Sequence, residues 1–143
     1  MINLFGAQSY NVDTKGRLSV PAKFRKKLPE DLVVMVEPRK QCLYVFSEEG
    51  FDDFVENKLF AKKGGFDPLN AEHAELLRQI GEFADGVTVD SAGRINLSDR
   101  LCAVVGITRE VEVIGVGDHF EIWDAKRREE ARASADLADL LNS

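Results

Sequence analysis

Six cationic side chains and no acidic one lie between residues 15 and 27 of this 143-residue chain. They are Lys15, Arg17, Lys23, Arg25, Lys26 and Lys27. Lysine and arginine bind phosphate oxygens, and an arginine guanidinium also pairs bidentately with the edge of guanine. This density of cations therefore favours binding of a polyanion. Arg17 is the best candidate for reading a base, and the cations from Lys23 to Lys27 suit phosphates.

The charge of the whole chain is unevenly distributed. Its formal net charge is −6. The first 40 residues nevertheless hold eight Lys or Arg against four Asp or Glu, a net of +4, and the remaining 103 hold 11 against 21, a net of −10. A run of cations is usually a solvated helix face, and that alternative stays open. Charge separation on this scale favours a basic binding face on an acidic body.

The sequence around the first two cations occurs twice. Asp13-Thr14-Lys15-Gly16-Arg17 returns 77 residues later as Asp90-Ser91-Ala92-Gly93-Arg94. The apolar positions that follow match at the same offset, Val34 with Val111 for example, and no insertion is predicted between residues 12 and about 54. Two copies are too few for a solenoid. The sequence therefore predicts one unit used twice, with both copies closing into a single pseudo-symmetric core.

Each copy is predicted to form a strand, a turn, a second strand, a short helix and a hairpin. An aspartate that accepts backbone N–H bonds holds each turn, and a glycine relieves the geometry at its exit. The residues assigned to the two turns are Asp13, Gly16, Asp90, Gly93 and Arg94. For Arg17 an ion pair with a carboxylate is the structural alternative to binding a nucleic acid.

The remaining elements are predicted from apolar spacing and capping residues. Pro21 starts a short helix that buries Phe24 and Leu28 and leaves its cations outward. A turn at residues 115–118 separates the hairpin strands of the second copy.

Two more helices are predicted outside the repeats. Asp67 caps one between the copies, and Asp124 caps a C-terminal helix from about 125 to 141. The predicted boundaries are 7–54 for the first repeat, 55–83 for a helical linker region, 84–131 for the second repeat and 132–143 for the end of the C-terminal helix.

The motif D-x-x-G-R, followed by an alternating apolar strand, a proline and a short basic helix, resembles the SpoVT-AbrB class of DNA-binding domain. Residues 13–25 carry this pattern, and residues 90–95, 113–115 and 120–124 carry its second copy. Two such units in a chain of this length resemble the MraZ family, and the resemblance covers nearly the whole chain. It implies an α+β fold in which two tandem SpoVT-AbrB-like repeats form a pseudo-symmetric, β-barrel-like core with peripheral helices.

The resemblance also implies a function. A member of this family is expected to be a bacterial transcriptional regulator that assembles into a homo-oligomeric ring. It binds short direct repeats of double-stranded DNA in the promoter of its own operon, the division and cell-wall gene cluster. We expect it to repress that operon, and to be cytoplasmic and associated with the nucleoid. Carried over by position, the family pattern puts Arg17, Arg25 and Lys26 at the DNA, with Lys15 as a further contact.

The second copy departs from the pattern of the first. Ser98, Cys102 and Ala103 stand at the positions of the proline, arginine and lysine of the basic helix. Arg94 is nearly alone as a cation in this copy. We therefore assign the second copy mainly to assembly and to the core.

Other classes of function have less support. An antitoxin-like module of the same fold, which holds a protein partner with its C-terminal helix, is the alternative that stays open. An enzyme is not expected, because no nucleophile, base or metal cluster has usable spacing; Lys15 and Ala92 also interrupt the aspartic-protease pattern. Neither a cofactor, a small-molecule substrate nor membrane association is expected. Cys42 and Cys102 are expected to be buried thiols.

Overall fold

A computed structural model of the chain, which describes residues 2–143, confirms the predicted order of elements in both copies. The strands are Leu4–Asn11 (β1), Arg17–Ser19 (β2), Asp31–Val36 (β3), Leu43–Ser47 (β4), Ala84–Thr88 (β5), Arg94–Asn96 (β6), Glu110–Gly117 (β7) and Phe120–Asp124 (β8). The helices are Ala22–Arg25 (α1), Glu48–Asp53 (α2), Ala71–Glu82 (α3), Asp99–Val104 (α4), Ala125–Ala133 (α5) and Leu137–Leu141 (α6). After α2 the chain continues through a π-helical turn, Phe54–Leu59, and a 3₁₀ turn, Ala61–Lys63.

The two copies exchange strands. One antiparallel sheet has the order β1-β7-β8-β4-β3-β5, so the first strand of each copy pairs with the hairpin of the other copy. The two hairpins meet through β4 and β8 at the centre. β1 and β5 form the edges, and no pairing between the strands of residues 2–143 closes this sheet into a barrel. Each copy therefore completes its sheet with a strand from the other.

A separate two-stranded ribbon of β2 and β6 joins the copies a second time. Its central pair is Leu18 opposite Ile95, two residues that are 77 apart in the sequence and each only 1% exposed. Because equivalent residues face one another here, a pseudo-two-fold axis passes through this pair.

Backbone hydrogen bonds extend the ribbon into both turns. The N–H of Val20 donates to the carbonyl of Gly93 at 2.9 Å, and the N–H of Leu97 donates to the carbonyl of Gly16 at 2.7 Å. The turn of each copy is therefore fixed in place by the other copy.

The repeat contains a shift that the sequence comparison missed. Tyr10 of β1 lies opposite Val111 of β7, whereas Val87, the equivalent of Tyr10, lies opposite Leu32 of β3. Leu32 is therefore the equivalent of Val111, and the offset is 79 residues here rather than 77. α4 is six residues long and α1 is four. An even shift leaves the same residues facing the core, so the apolar pattern could not reveal it.

Apolar side chains from both copies form one core, as predicted. Phe24 of α1 packs there against Phe120, with ring centroids 5.4 Å apart. A smaller cluster of Val55, Phe60 and Ile80 lies among the helices between the copies. The fold is α+β with two interleaved copies, which confirms the predicted class. Within residues 2–143 no helix has the length and apolar character that crossing a membrane requires.

The predicted turn at residues 115–118 is wrong, because β7 continues to Gly117. A Cβ built on Gly115 would lie 2.6 Å from the carbonyl carbon of Leu4 in the paired strand β1. This glycine therefore serves the close approach of two strands and not a turn.

Two predicted helix boundaries are also wrong. Asn70, and not Asp67, caps α3 through its side chain. Asp124 caps the C-terminal helix as predicted, but that helix ends at Ala133. Asp136 then caps α6 as a separate helix, because its side chain offers the backbone N–H groups a new partner.

Replacement of Gly115 by alanine should destabilise the fold by about 1–3 kcal/mol, because its methyl group collides with the backbone of β1. Gly86→Ala in β5 is the matched control, since a Cβ there meets nothing within 4 Å. Urea unfolding followed by circular dichroism measures both. Equal stability of the two variants would contradict the close approach of β1 and β7.

Candidate nucleic-acid interface

The turn before the ribbon is built in the same way in both copies. In the first, one carboxylate oxygen of Asp13 accepts the N–H groups of Lys15 (2.9 Å) and Arg17 (2.8 Å). In the second, Asp90 accepts two N–H groups at 2.9 Å in the same way. Gly16 ends the first turn with φ 82°, where a side chain would collide with the other copy. The two aspartates thus fix the path of the chain into the ribbon.

Arg17 is held by its own turn and remains half-exposed. Its Nε donates to the second carboxylate oxygen of Asp13 at 2.7 Å. Among the hydrogen bonds of residues 2–143, none uses the two Nη groups of Arg17. An ion pair of Arg17 with a carboxylate is therefore compatible with binding of a nucleic acid. The ion pair orients the guanidinium and leaves its outer edge for a ligand.

The outward face of the ribbon carries cations from both copies. Arg17 lies opposite Asn96, and Arg94 lies opposite Ser19, on either side of the buried Leu18–Ile95 pair. Successive residues of a strand point to opposite faces, so these four side chains share the outer one. We call them the ribbon face. Sequence reasoning missed Ser19 and Asn96, although their alternation with buried neighbours was a signal that would have found them.

The basic helix α1 lies against the turn of the second copy. Nε of Arg25 donates to the carbonyl of Val20 at 3.1 Å, and a Cβ built on Gly93 would lie 2.8 Å from Cζ of Arg25. In the sequence α1 follows the turn of Lys15 and Arg17, but in the structure Arg25 of α1 lies beside the turn that ends with Arg94.

The other predicted cations spread around α1. Nζ of Lys27 donates to the carbonyl of Asn3 at 3.2 Å, and Lys23 lies over the ring of Phe24. Lys26 and Lys15 are exposed, the latter in the first turn. The six predicted binding residues thus form two groups, one on the ribbon and its turn, and one along α1.

The equivalent helix α4 keeps only one cation, Arg100, and is built differently. Ser98 caps it by accepting the N–H of Leu101 at 3.2 Å, where the first copy begins with a proline. Cys102, which replaces Arg25, is buried, and burial raises the pKa of its thiol to about 11. It is therefore a neutral core residue at pH 7. The cations around α1 therefore have no equivalent cluster in the second copy, although the scaffold is nearly symmetric.

Other chemistry has little support among the described residues. Asp13 and Asp90 are each paired with the arginine of their own turn, at the two ends of the ribbon. Residues 2–143 contain no group of three or more side chains that could hold a metal ion. Nδ1 of His73 accepts the N–H of Asp67, and His119 contacts the carboxylate of Asp118.

Two interleaved copies of a strand–turn–strand–helix–hairpin unit, with one cationic face, define a protein of the two-repeat SpoVT-AbrB type. Comparison with known families gives the same assignment. The family model described as "MraZ protein, putative antitoxin-like" matches residues 4–64 and 82–138. The chain belongs to the MraZ family.

Curated relatives are similar over most of their length. A transcriptional regulator MraZ from Nocardioides sp. is 38% identical over 142 residues, which cover 97% of this chain and 94% of the relative. The protein of the same name from Paenarthrobacter aurescens is 36% identical over 121 residues, which cover 84% of this chain and 80% of the relative. The protein of the same name from Spiroplasma kunkelii is 34% identical over 123 residues, which cover 86% of this chain and 82% of the relative.

The turn carboxylates provide a pH test of this geometry. Hydrogen bonding from the backbone N–H of Arg17 is the main cause that lowers the pKa of Asp13 below its ordinary value. A carboxyl with a lowered folded-state pKa stabilises the fold above its unfolded pKa of about 3.9, and that stability is lost as pH falls through the folded value.

Carboxyl NMR titration of Asp13 should therefore give a pKa below the ordinary aspartate range. In Arg17→Gln the pKa should rise but stay below that range, because the backbone bonds remain. The pKa of Asp90 should not change and serves as the control. An ordinary pKa for Asp13 in the unaltered protein would contradict the turn described here.

Proposed function

We propose that this chain is a sequence-specific DNA-binding transcriptional regulator whose contact surface is the ribbon face together with α1. The observation that carries the proposal is the placement of Arg17 and Arg94 on one outward face, on a chain with net charge −6. An acidic body repels DNA, so a locally basic surface is needed to bring the two together.

A two-stranded ribbon has the dimensions that the major groove of B-DNA admits. In this pose the side chains of the ribbon face meet base edges. The free Nη groups of Arg17 suit guanine, and the amide of Asn96 suits adenine, since both pairings are bidentate. Arg94 provides a second guanidinium from the other copy. The ribbon face is therefore our proposal for the surface that reads sequence.

The remaining cations suit the phosphates on either side of the groove. They are Lys15, Lys23, Arg25, Lys26 and Lys27. Contacts of this kind set orientation and strength but carry no sequence information. Their contribution falls with salt, because each one releases counterions from the DNA.

One basic face per chain binds weakly on its own, at roughly 10⁻⁴–10⁻⁶ M for non-specific contacts. We propose that copies assemble into a ring that presents several faces to repeated DNA sites. A second contact is then effectively intramolecular, and avidity rises by roughly 10²–10⁴. By resemblance to the family, the sites are short promoter repeats upstream of its own operon. Occupied sites would block polymerase, which makes the regulator an autorepressor.

Arg17→Ala should weaken binding to the DNA upstream of the protein's own gene by about 1–3 kcal/mol if this arginine reads a base. Arg94→Ala should act in the same direction, because it shares the ribbon face. Fluorescence anisotropy against upstream and scrambled DNA measures both. Arg78→Ala, an exposed arginine of α3, is the matched control and should bind as the unaltered protein does. Unchanged binding in Arg17→Ala would contradict the ribbon face as the reading surface.

Lys26→Ala should weaken binding to both DNAs about equally, because a phosphate contact is independent of sequence. The slope of log K against log salt should become shallower by roughly one unit, because one phosphate fewer is neutralised. A salt series of the same anisotropy measurement tests this. A selective weakening on upstream DNA alone would assign Lys26 to base reading instead. Equal weak binding of the unaltered protein to both DNAs would favour the protein-binding, antitoxin-like module.

A further inference from the structure

We propose that α6 of one copy docks into an apolar groove on the next copy, between α3 and the loop after β3, and so joins the copies head to tail. This inference extends the oligomeric part of the proposed function. It is independent of which residues touch DNA, so the two can fail separately.

The leucines of α6 have no core to enter. Leu137, Leu140 and Leu141 are 71%, 61% and 76% exposed. Their spacing of i, i+3 and i+4 puts them on one side of the helix, which is the pattern of a helix that binds in a groove. Asp136 and Asp139 accompany them, so the tail is both apolar and acidic.

A groove of matching character lies on the same chain. Its volume is about 140 Å³, and its lining is mainly apolar. Met35, Leu59, Leu76, Ile80 and Phe83 form its walls. That volume resembles an engineered apolar cavity of about 150 Å³ that takes up benzene, so one leucine side chain is an occupant of suitable size.

The rim of the groove is cationic where the tail is acidic. Lys40 and Arg100 both lie over the ring of Phe83, with Nζ and Cζ at 5.8 and 5.4 Å from its centroid. Glu37 also lines the groove, but its carboxylate is turned to the N–H of Arg39 at 2.6 Å. The charge that meets an incoming tail is therefore positive, which complements Asp136 and Asp139.

The tail does not occupy the groove of its own chain, because the three leucines of α6 are exposed. Arg127, in the first turn of α5, donates to the carbonyl of Lys40 at 3.1 Å. Arg132 is paired with Glu112 at 2.7 Å, which fixes the far end of α5 on β7. α5 is thus held at both ends while the leucines of α6 stay exposed, so a second copy is the occupant of the groove.

Tail and groove are different surfaces, so the contact is heterologous. Repeated contacts of this type close into a ring when the rotation between copies allows it, and otherwise form a filament. The inferred contact therefore supplies the repeated interface that the proposed ring requires.

Charge reversal on each side, followed by restoration, tests the contact. Lys40→Glu and Asp139→Lys should each weaken self-association about tenfold, and the double variant should return to within about threefold of the unaltered protein. Light scattering and sedimentation across a concentration series measure the mass. Lys126→Glu, an exposed cation of α5, is the control and should assemble normally.

Leu140→Asp provides a second test on the apolar side and should weaken association by more than about tenfold. All these positions are exposed, so circular dichroism should show unchanged folding. An unchanged mass in Lys40→Glu or Leu140→Asp, or no recovery in the double variant, would overturn the docking. Anisotropy with a single DNA site, measured in parallel, reports on the ribbon face separately.

Discussion

The ribbon of β2 and β6 is the constraint on which the rest of the structure depends. It buries Leu18 against Ile95 and bonds the end of each strand to the turn glycine of the other copy. Because successive side chains of a strand point to opposite faces, burial of this pair makes the neighbouring side chains, Arg17 and Arg94 among them, point outward. One set of contacts therefore closes the core and also displays the cations. A core that needs both copies cannot form from one of them.

The scaffold is nearly symmetric and the chemistry is not. Each turn is held by an aspartate at the equivalent position, Asp13 or Asp90, which accepts equivalent backbone N–H groups. The cluster of cations lies on α1 and just after it, whereas the equivalent helix α4 has one cation, Arg100, and a neutral, buried thiol at Cys102. Arg25 lies beside the turn of the second copy. In the proposed function each chain offers one such face, so the number of DNA contacts, and with it the binding strength, would be set by oligomerisation.

The sequence predicted the features that local chemistry dictates. The turns, the buried Phe24, the cap by Asp124 and the use of one unit twice follow from residue type and spacing. The strand pairing between copies does not follow from residue type and spacing. The sequence of a copy is the same whether its first strand pairs with the hairpin of that copy or with the hairpin of the other copy. The two-residue shift at Leu32 kept the alternation intact and was invisible for that reason. Gly115 was assigned to a turn because glycine suits close strand contact as well as turns.

Site-specific photocrosslinking from the ribbon face tests the central claim most directly. A benzophenone side chain would be placed at Ser19 and, separately, at Asn96, with Leu69, which is 94% exposed, as the distant control. The account predicts crosslinks to the chain's own upstream DNA from both ribbon positions and none from Leu69. Crosslinks absent from Ser19 and Asn96, in protein that still binds the DNA, would contradict it.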